Sequence, residues 1–512
     1  MRSPRPTPLP RLLLLAAAAT LATASTCTRE STADTEPAAP GASADTGAAA
    51  ATRADERLNV VLVVTDDLGY FDTSPYGNDF VETPNLQRMA DEGLRFRESY
   101  ASAAVCSPSR AAIQTGLTPA RLGITEHFHG PTQPQPWMRV IPPSNEPDLA
   151  TRHSTLAEDL RRAGYPRRLY VGKWHAGGNG PLVHGYERLY GGSAGYWLNS
   201  QYHWPYWNGV SPDGTGPYAE VVRDSRPGDY LTDVLTDRAL AEITEAHAAD
   251  EPFFLHVNYY APHVPLDGKA ELVAKYDAKK ASYTGEYDLS AVYAAMVETI
   301  DANVGRLLDT LDALGLRQNT LVVFTSDNGG LAGPERPPFD PHTPATNNGV
   351  LRAGKGHLYE GGTRVPTIAW GGPVPAGRVS DDVHLGHDLY PTIAELAGAP
   401  LTGGADGVSH AGVYRGGPDG THADRTPLWH YPHYSNQGGV PRSSLRAGDY
   451  KVIYDWGDST TQLYDLRADL AEARDLAMCA GNIPDSLRDL LLTELAAQGA
   501  KLPVPNPDYD GG

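Results

Sequence analysis

The run Leu58-Asn59-Val60-Val61-Leu62-Val63-Val64-Thr65 is apolar in both phases of the β period and closes on Asp66-Asp67. A strand with one wet face would alternate. A strand apolar on both sides must be covered on both sides, as parallel strands packed between helices are. Three further runs repeat the design. Arg168-Leu169-Tyr170-Val171 ends in Gly172-Lys173-Trp174-His175, and Phe253-Phe254-Leu255-His256-Val257 runs on to Ala261-Pro262-His263. Leu321-Val322-Val323-Phe324-Thr325 ends in Ser326-Asp327-Asn328. Helical patterns lie between them, at 156–160 and 291–314. The arrangement predicts an α/β fold, a large mostly parallel sheet sandwiched by helices. Ligands of such sheets gather beyond the carboxyl ends of the strands, where all four runs deliver polar residues.

From about Thr402 the character changes. Ser444-Leu445-Arg446, Gly448 to Tyr454 and Thr461 to Leu466 read as short antiparallel strands with Gly/Asp turns, and 483–498 as an amphipathic helix. This predicts a smaller C-terminal α+β subdomain containing an antiparallel sheet, over residues 402–512, beside a large domain at 57–401. At the other end, Arg2, Arg5 and Arg11 precede an apolar run from Leu12 to Ala19, followed by Ala22-Thr23-Ala24. Residues 1–26 therefore read as a signal peptide. Residues 28–56 contain no Leu, Ile, Val, Met or aromatic side chain. Such a stretch cannot bury enough surface to order, so 27–56 reads as a disordered tether. Cys27 at its head is a candidate lipid anchor, and the expectation is an exported protein: periplasmic, extracellular or held at the cell surface.

The chain carries 62 acidic against 42 basic residues, a net charge of −20. That balance argues against nucleic acid, whose binders need a basic footprint. With three cysteines in 512 residues, Cys27, Cys106 and Cys479, no disulfide framework is available and stability must come from the core.

Asp66, Asp67, Asp327 and Asn328 form an all-oxygen set at strand ends. Oxygen donors select hard cations, so calcium is the expected ion, with magnesium second. Cys106 stands in Val105-Cys106-Ser107-Pro108-Ser109-Arg110, where Ser107-Pro108 signals a helix start. A position just ahead of a helix N-terminus favours a thiolate and favours anions nearby, with a buried inert cysteine as the alternative. Only eight of the basic residues are lysines. Two of them, Lys173 and Lys355, fall in glycine-bearing loops that also hold histidine, suggesting compact charges wanted at one place. His175 and His263, at strand ends near a hard metal, are acid/base candidates.

The spacing Cys-x-Pro-x-Arg at 106–110, continued by Gln114-Thr115-Gly116, resembles the signature of the type I, formylglycine-dependent sulfatases of the alkaline phosphatase superfamily. The likeness runs from about Asn59 to the C-terminus. It implies that a maturation enzyme oxidises Cys106 to formylglycine, whose hydrate is the nucleophile and a metal ligand. It further implies that Asp66, Asp67, Asp327 and Asn328 hold calcium and that Arg110 holds the hydrate. Lys173, His175, His263 and Lys355 become the sulfate-binding and proton-transfer set, His263 protonating the leaving group and His175 deprotonating the second hydroxyl. Lys355 lies in Gly354-Lys355-Gly356-His357-Leu358-Tyr359-Glu360-Gly361-Gly362-Thr363-Arg364, close to the family pattern. The implied activity is hydrolysis of a sulfate monoester. A phosphomonoester or phosphodiester hydrolase on the same fold is the alternative.

For the substrate, residues 186–218 carry three of the eight tryptophans between 197 and 207, among many tyrosines. Aromatics on a long polar loop suit sugar faces, and Trp204 and Trp207 are the candidates there. A second rim, Trp429-His430-Tyr431-Pro432-His433-Tyr434, offers His430 and His433 to the leaving group. The reading favours a sulfated carbohydrate, with an aryl sulfate as the alternative.

Overall fold

The computed structural model describes residues 57–127, 133–192, 201–206, 222, 225–287, 289–333 and 344–511. The signal peptide, tether, Cys27 and Trp207 lie outside the described residues. Among the described residues no helix is long and apolar enough to cross a membrane.

Eight strands make the large sheet: β1 (Asn59–Thr65), β2 (Leu94–Phe96), β3 (Arg167–Gly172), β4 (Arg188–Tyr190), β5 (Phe253–Asn258), β6 (Thr320–Ser326), β7 (Thr367–Trp370) and β8 (Arg378–Ser380). Their spatial order is β8-β2-β7-β6-β1-β5-β3-β4. The four runs read from sequence are neighbours, β6-β1-β5-β3, all parallel. β7 runs antiparallel to both β6 and β2, which makes the sheet mixed.

The two-sided burial of β1 is literal. Val61 and Val63 face one core, with α1 (Pro84–Asp91), a helix over Leu231–Ala249 and a longer one over Ala291–Ala313. Val60, Leu62 and Val64 face the other, with α2 (Cys106–Thr115) and helices over Leu156–Arg162 and Leu389–Leu396. Alternate side chains of one strand thus serve two layers of helices.

In the C-terminal part β9 (Leu428–Tyr431), β10 (Arg442–Ala447), β11 (Tyr450–Asp455) and β12 (Thr461–Asp465) form an antiparallel sheet in that order. Leu445, Val452 and Leu463 pack on Leu487, Leu491 and Leu495 of the last helix, Ile483–Gln498. The opposite face presents Trp429 and Tyr431 to Tyr100, Val105 and Leu358 of the main part. Asp55–Gly512 is accordingly one compact unit.

Candidate active site

Register assembles the site. Thr65 of β1 is level with Ser326 of β6, so Asp66 and Asp327 leave the sheet side by side. Gly172 of β3 is level with Asn258 of β5, which sends Lys173 out beside them. At Gly172 the backbone φ is +88°, and a Cβ would stand 1.9 Å from Asn258 O. Only glycine permits that approach. Gly329 does the same for the loop bearing Lys355: a Cβ there would meet Gly361 O at 1.9 Å. Lys355 N donates to Gly330 O at 3.0 Å, and Gly356 N to Ala104 O at 2.8 Å, tying this loop to the segment before Cys106.

The charged groups interlock. Lys173 Nζ lies 2.5 Å from Asp66 Oδ2, Lys355 Nζ 2.9 Å from Asp67 Oδ2, and Arg110 Nε 2.8 Å from Asp327 Oδ2. Arg110 Nη1 also donates to Lys173 O at 3.0 Å and Asn258 Oδ1 at 3.1 Å. Asn328 Nδ2 donates to Asp67 Oδ1 at 2.7 Å. His263 Nε2 is 3.7 Å from Asp67 Oδ2, and His175 Nδ1 is 3.1 Å from Cys106 Sγ. All ten of these side chains, and Cys106, belong to buried residues. Asp67 (φ 66°) and His175 (φ 48°) both hold left-handed backbone, a strain that persists where surrounding contacts over-determine it.

Burial alone would raise the pKa of Asp66; Lys173, then His263, Arg110 and Lys355 outweigh it and hold the carboxyl well below its usual range. For Asp327 burial wins against Arg110, and its pKa is pushed up to about 7. Burial and then Lys173 drive His175 well below the usual histidine value, while burial and Lys355 lower His263. Both imidazoles are therefore neutral near pH 7. At Cys106 burial pushes the thiol up, against the pull of Lys173 and Lys355. The helix also begins at Cys106 itself rather than after it, with Val105 at the N-cap and no side-chain cap. Its positive end consequently stands at Cys106, suited to an anion.

The donor set fits a hard cation. Asp66 Oδ1 and Asn328 Oδ1 are buried oxygens without a hydrogen-bond partner. Donor atoms of Asp66, Cys106 and Asp327, and of Asp66, Asp67 and His263, cluster within 4.8 Å of one another. Buried, orphaned carboxylate and amide oxygens are costly unless an ion or donor meets them. Sequence reading missed Asn258, whose amide oxygen fixes Arg110; its only signal was a polar residue closing a buried strand.

The two rims separate. His430 is set within β9, Nδ1 facing Ser443 Oγ at 2.7 Å and Nε2 facing Lys501 O at 3.0 Å. Both nitrogens are occupied inside the C-terminal layer, so the expected meeting of His430 with a leaving group is corrected. His433 instead reaches Thr125 Oγ1, at 2.8 Å through Nε2. Trp204 is 37% exposed, whereas Tyr186, Tyr202 and Tyr206 of the same aromatic segment are buried. Tyr202 OH donates to Tyr260 O at 2.7 Å and His263 O at 2.9 Å, bracing the His263 loop from behind.

Comparison with known proteins agrees with this arrangement. The family model described as Sulfatase matches residues 58–399. A sulfatase of Formosa agariphila is 31% identical over 83% of this chain and 85% of its own length. N-acetylgalactosamine-6-sulfatase of Rattus norvegicus is 35% identical over 68% of this chain and 63% of its own. The crystal structure of Ps i-CgsB in complex with k-i-k-neocarrahexaose aligns with TM-score 0.68 and 26% identity, covering 86% of this chain and 93% of that one. The strand-end carboxylates, the paired lysines and the helix opening on Cys106 are thus those of a chain that belongs to the sulfatase family, enzymes that hydrolyse sulfate esters.

Proposed function

We propose that the protein hydrolyses a sulfate monoester of a carbohydrate, with Cys106 matured to formylglycine and calcium held by Asp66, Asp67, Asp327 and Asn328. The observation that carries this reading is Cys106 at a helix N-terminus, 3.1 Å from His175, with Lys173, Lys355 and Arg110 interleaved among three carboxylates. Calcium, when bound, supplies fixed positive charge and polarises sulfuryl oxygens. Formylglycine, as its hydrate, supplies a nucleophilic oxygen and a second hydroxyl from which sulfate can be expelled.

The chain's own groups divide the remaining work. Lys173 and Lys355 neutralise charge on the sulfuryl oxygens, and Arg110 holds the side chain at position 106 in register. His175, neutral and against that side chain, accepts its proton. His263 donates Nδ1–H to Val264 O, and its Nε2, facing Asp67, would carry the proton for the leaving oxygen in the imidazolium form, which the negative charge of a bound sulfate favours over the neutral ring of the free site. A sugar alkoxide is a poor leaving group and needs that proton.

An aryl sulfate is the second reading, supported by arylsulfatase A of Homo sapiens, 32% identical over 77% of this chain and 74% of its own. Export of the protein is proposed from its leader-like first residues alone. The test is released sulfate from a panel of sulfated sugars, aryl sulfates and the matching phosphate esters. Faster turnover of a sugar sulfate supports the proposal; preference for phosphate esters defeats it.

A further inference from the structure

Two residues that the sequence reading passed over stand between the nucleophile and the C-terminal layer. Glu126 is 5% exposed. Its Oε1 accepts from His127 N at 2.8 Å and meets the His127 ring at Nδ1, and its Oε2 accepts from Tyr431 OH at 2.9 Å. Burial alone would raise the Glu126 carboxyl; His127 and then His433 hold it low, so it is a carboxylate. The His127 side chain keeps 18% of its surface accessible. Among the described residues no group bonds its Nε2.

This cluster borders the reacting centre. Tyr431 packs in one apolar cluster with Ala104, Val105 and Leu358, the first two immediately preceding Cys106. The chain beyond Tyr431 stays on the site: His433 bonds Thr125, and Ser435 and Gly439 pack on Gly356, next to Lys355.

We infer that His127 reads a hydroxyl of the leaving group beside the cleaved ester, with Glu126 and Tyr431 as the residues that position it. The inference rests on the carbohydrate reading of the preceding section. The physical reason is the imidazole's asymmetry. A carboxylate at Nδ1 fixes that nitrogen as an N–H donor and orients Nε2, which pairs with a hydroxyl as acceptor in the neutral ring and as donor in the imidazolium. A polar atom so oriented pairs with a sugar hydroxyl and finds no partner on an unsubstituted aryl ring. A site built to bond a substrate hydroxyl discriminates against analogues lacking it, because its own polar group is left unpaired.

The experiment compares kcat/KM for the best sulfated sugar with that for 4-nitrophenyl sulfate, in wild type, His127→Ala, His127→Gln, Tyr431→Phe and a His175→Ala control. His127→Ala should lower the sugar-to-aryl ratio by about 10- to 100-fold, a partly exposed position giving less than a sealed one. His127→Gln, similar in bulk and polar, guards against misfolding and should lower the ratio in the same direction, as should Tyr431→Phe. The His175 variant should depress both substrates together. A ratio within about twofold of wild type in both His127 variants overturns this inference while leaving sulfatase action on sugars intact. A wild-type enzyme that releases sulfate from aryl but not sugar esters overturns the carbohydrate reading, and the inference falls with it.

Discussion

Lys355 is a buried cation kept charged by what surrounds it. Burial alone would lower its pKa, yet Asp67, with Cys106 and Asp66, holds it above the usual lysine range. Its ammonium is therefore a permanent charge 2.9 Å from a carboxylate, and in the proposed mechanism it would neutralise sulfuryl oxygens. Lys355→Ala should lower kcat/KM by about 10²-fold or more, the scale of losing one charge-stabilising donor; steady-state kinetics on the best substrate check this. Cys106 makes a sharper prediction. Peptide mass spectrometry of active protein should find formylglycine at 106, and Cys106→Ala should abolish sulfate release. These residues were legible because the chemistry demands residue types at fixed short spacings. The state of Cys106 was not, since helix position points to a thiolate while desolvation points the other way, and only the fold says which is larger. Glu126 and His127 were invisible for another reason: Tyr431, which makes sense of Glu126, lies 305 residues away.

At the level of elements, the C-terminal sheet is clamped to the catalytic part by buried charge as well as by apolar contact. Lys451 of β11 lies 2.9 Å from Glu360 Oε1 and 3.1 Å from Glu472 Oε1, with all three side chains fully buried. Glu360 also accepts from Arg364 Nη1 at 3.0 Å and from Tyr100 OH at 2.9 Å. A buried pair contributes little over an apolar replacement, but removing one partner strands the other. Lys451→Ala leaves two carboxylates facing each other, and should destabilise the protein by about 3–5 kcal/mol in denaturant unfolding. A loss under about 1 kcal/mol would mean the carboxyls find water or protons cheaply. The strands on either side of this junction were readable in sequence, because β-branched runs and Gly/Asp turns are local signals. The antiparallel course of β7 was not. Its four residues carry no mark of direction, which is set by pairing to β6 and β2 on either side.

Across the whole molecule the net charge of −20 opposes an anionic substrate. Exposed charges are screened beyond about 8 Å at physiological salt, whereas the lysines and arginine of the site are buried and act at contact distance. Neutralising acids on surfaces distant from the strand ends should change kcat/KM by less than about threefold at 0.15 M salt. Kinetics at several ionic strengths distinguish this from long-range repulsion, which would give a rate climbing steeply with salt. Chelation should remove activity and calcium should restore it best, since Asp66, Asp67, Asp327 and Asn328 all offer oxygen. Recovery with zinc alone would contradict that ligand set.

Gly356, with φ 82°, accepts Ser435 and Gly439 against its backbone at a place where any side chain would collide. The residue beside Lys355 is thereby sealed by chain that lies some eighty residues downstream, past the end of the sequence the family model recognises. The loop that carries Lys355 is thus closed by chain that neither the nucleophile helix nor the strand ends supply, and this late stretch can vary only where it keeps its close approach to Gly356. A graft of the late stretch between relatives would have to carry along the two small residues that face Gly356, or it would push on the Lys355 loop from a great distance in sequence.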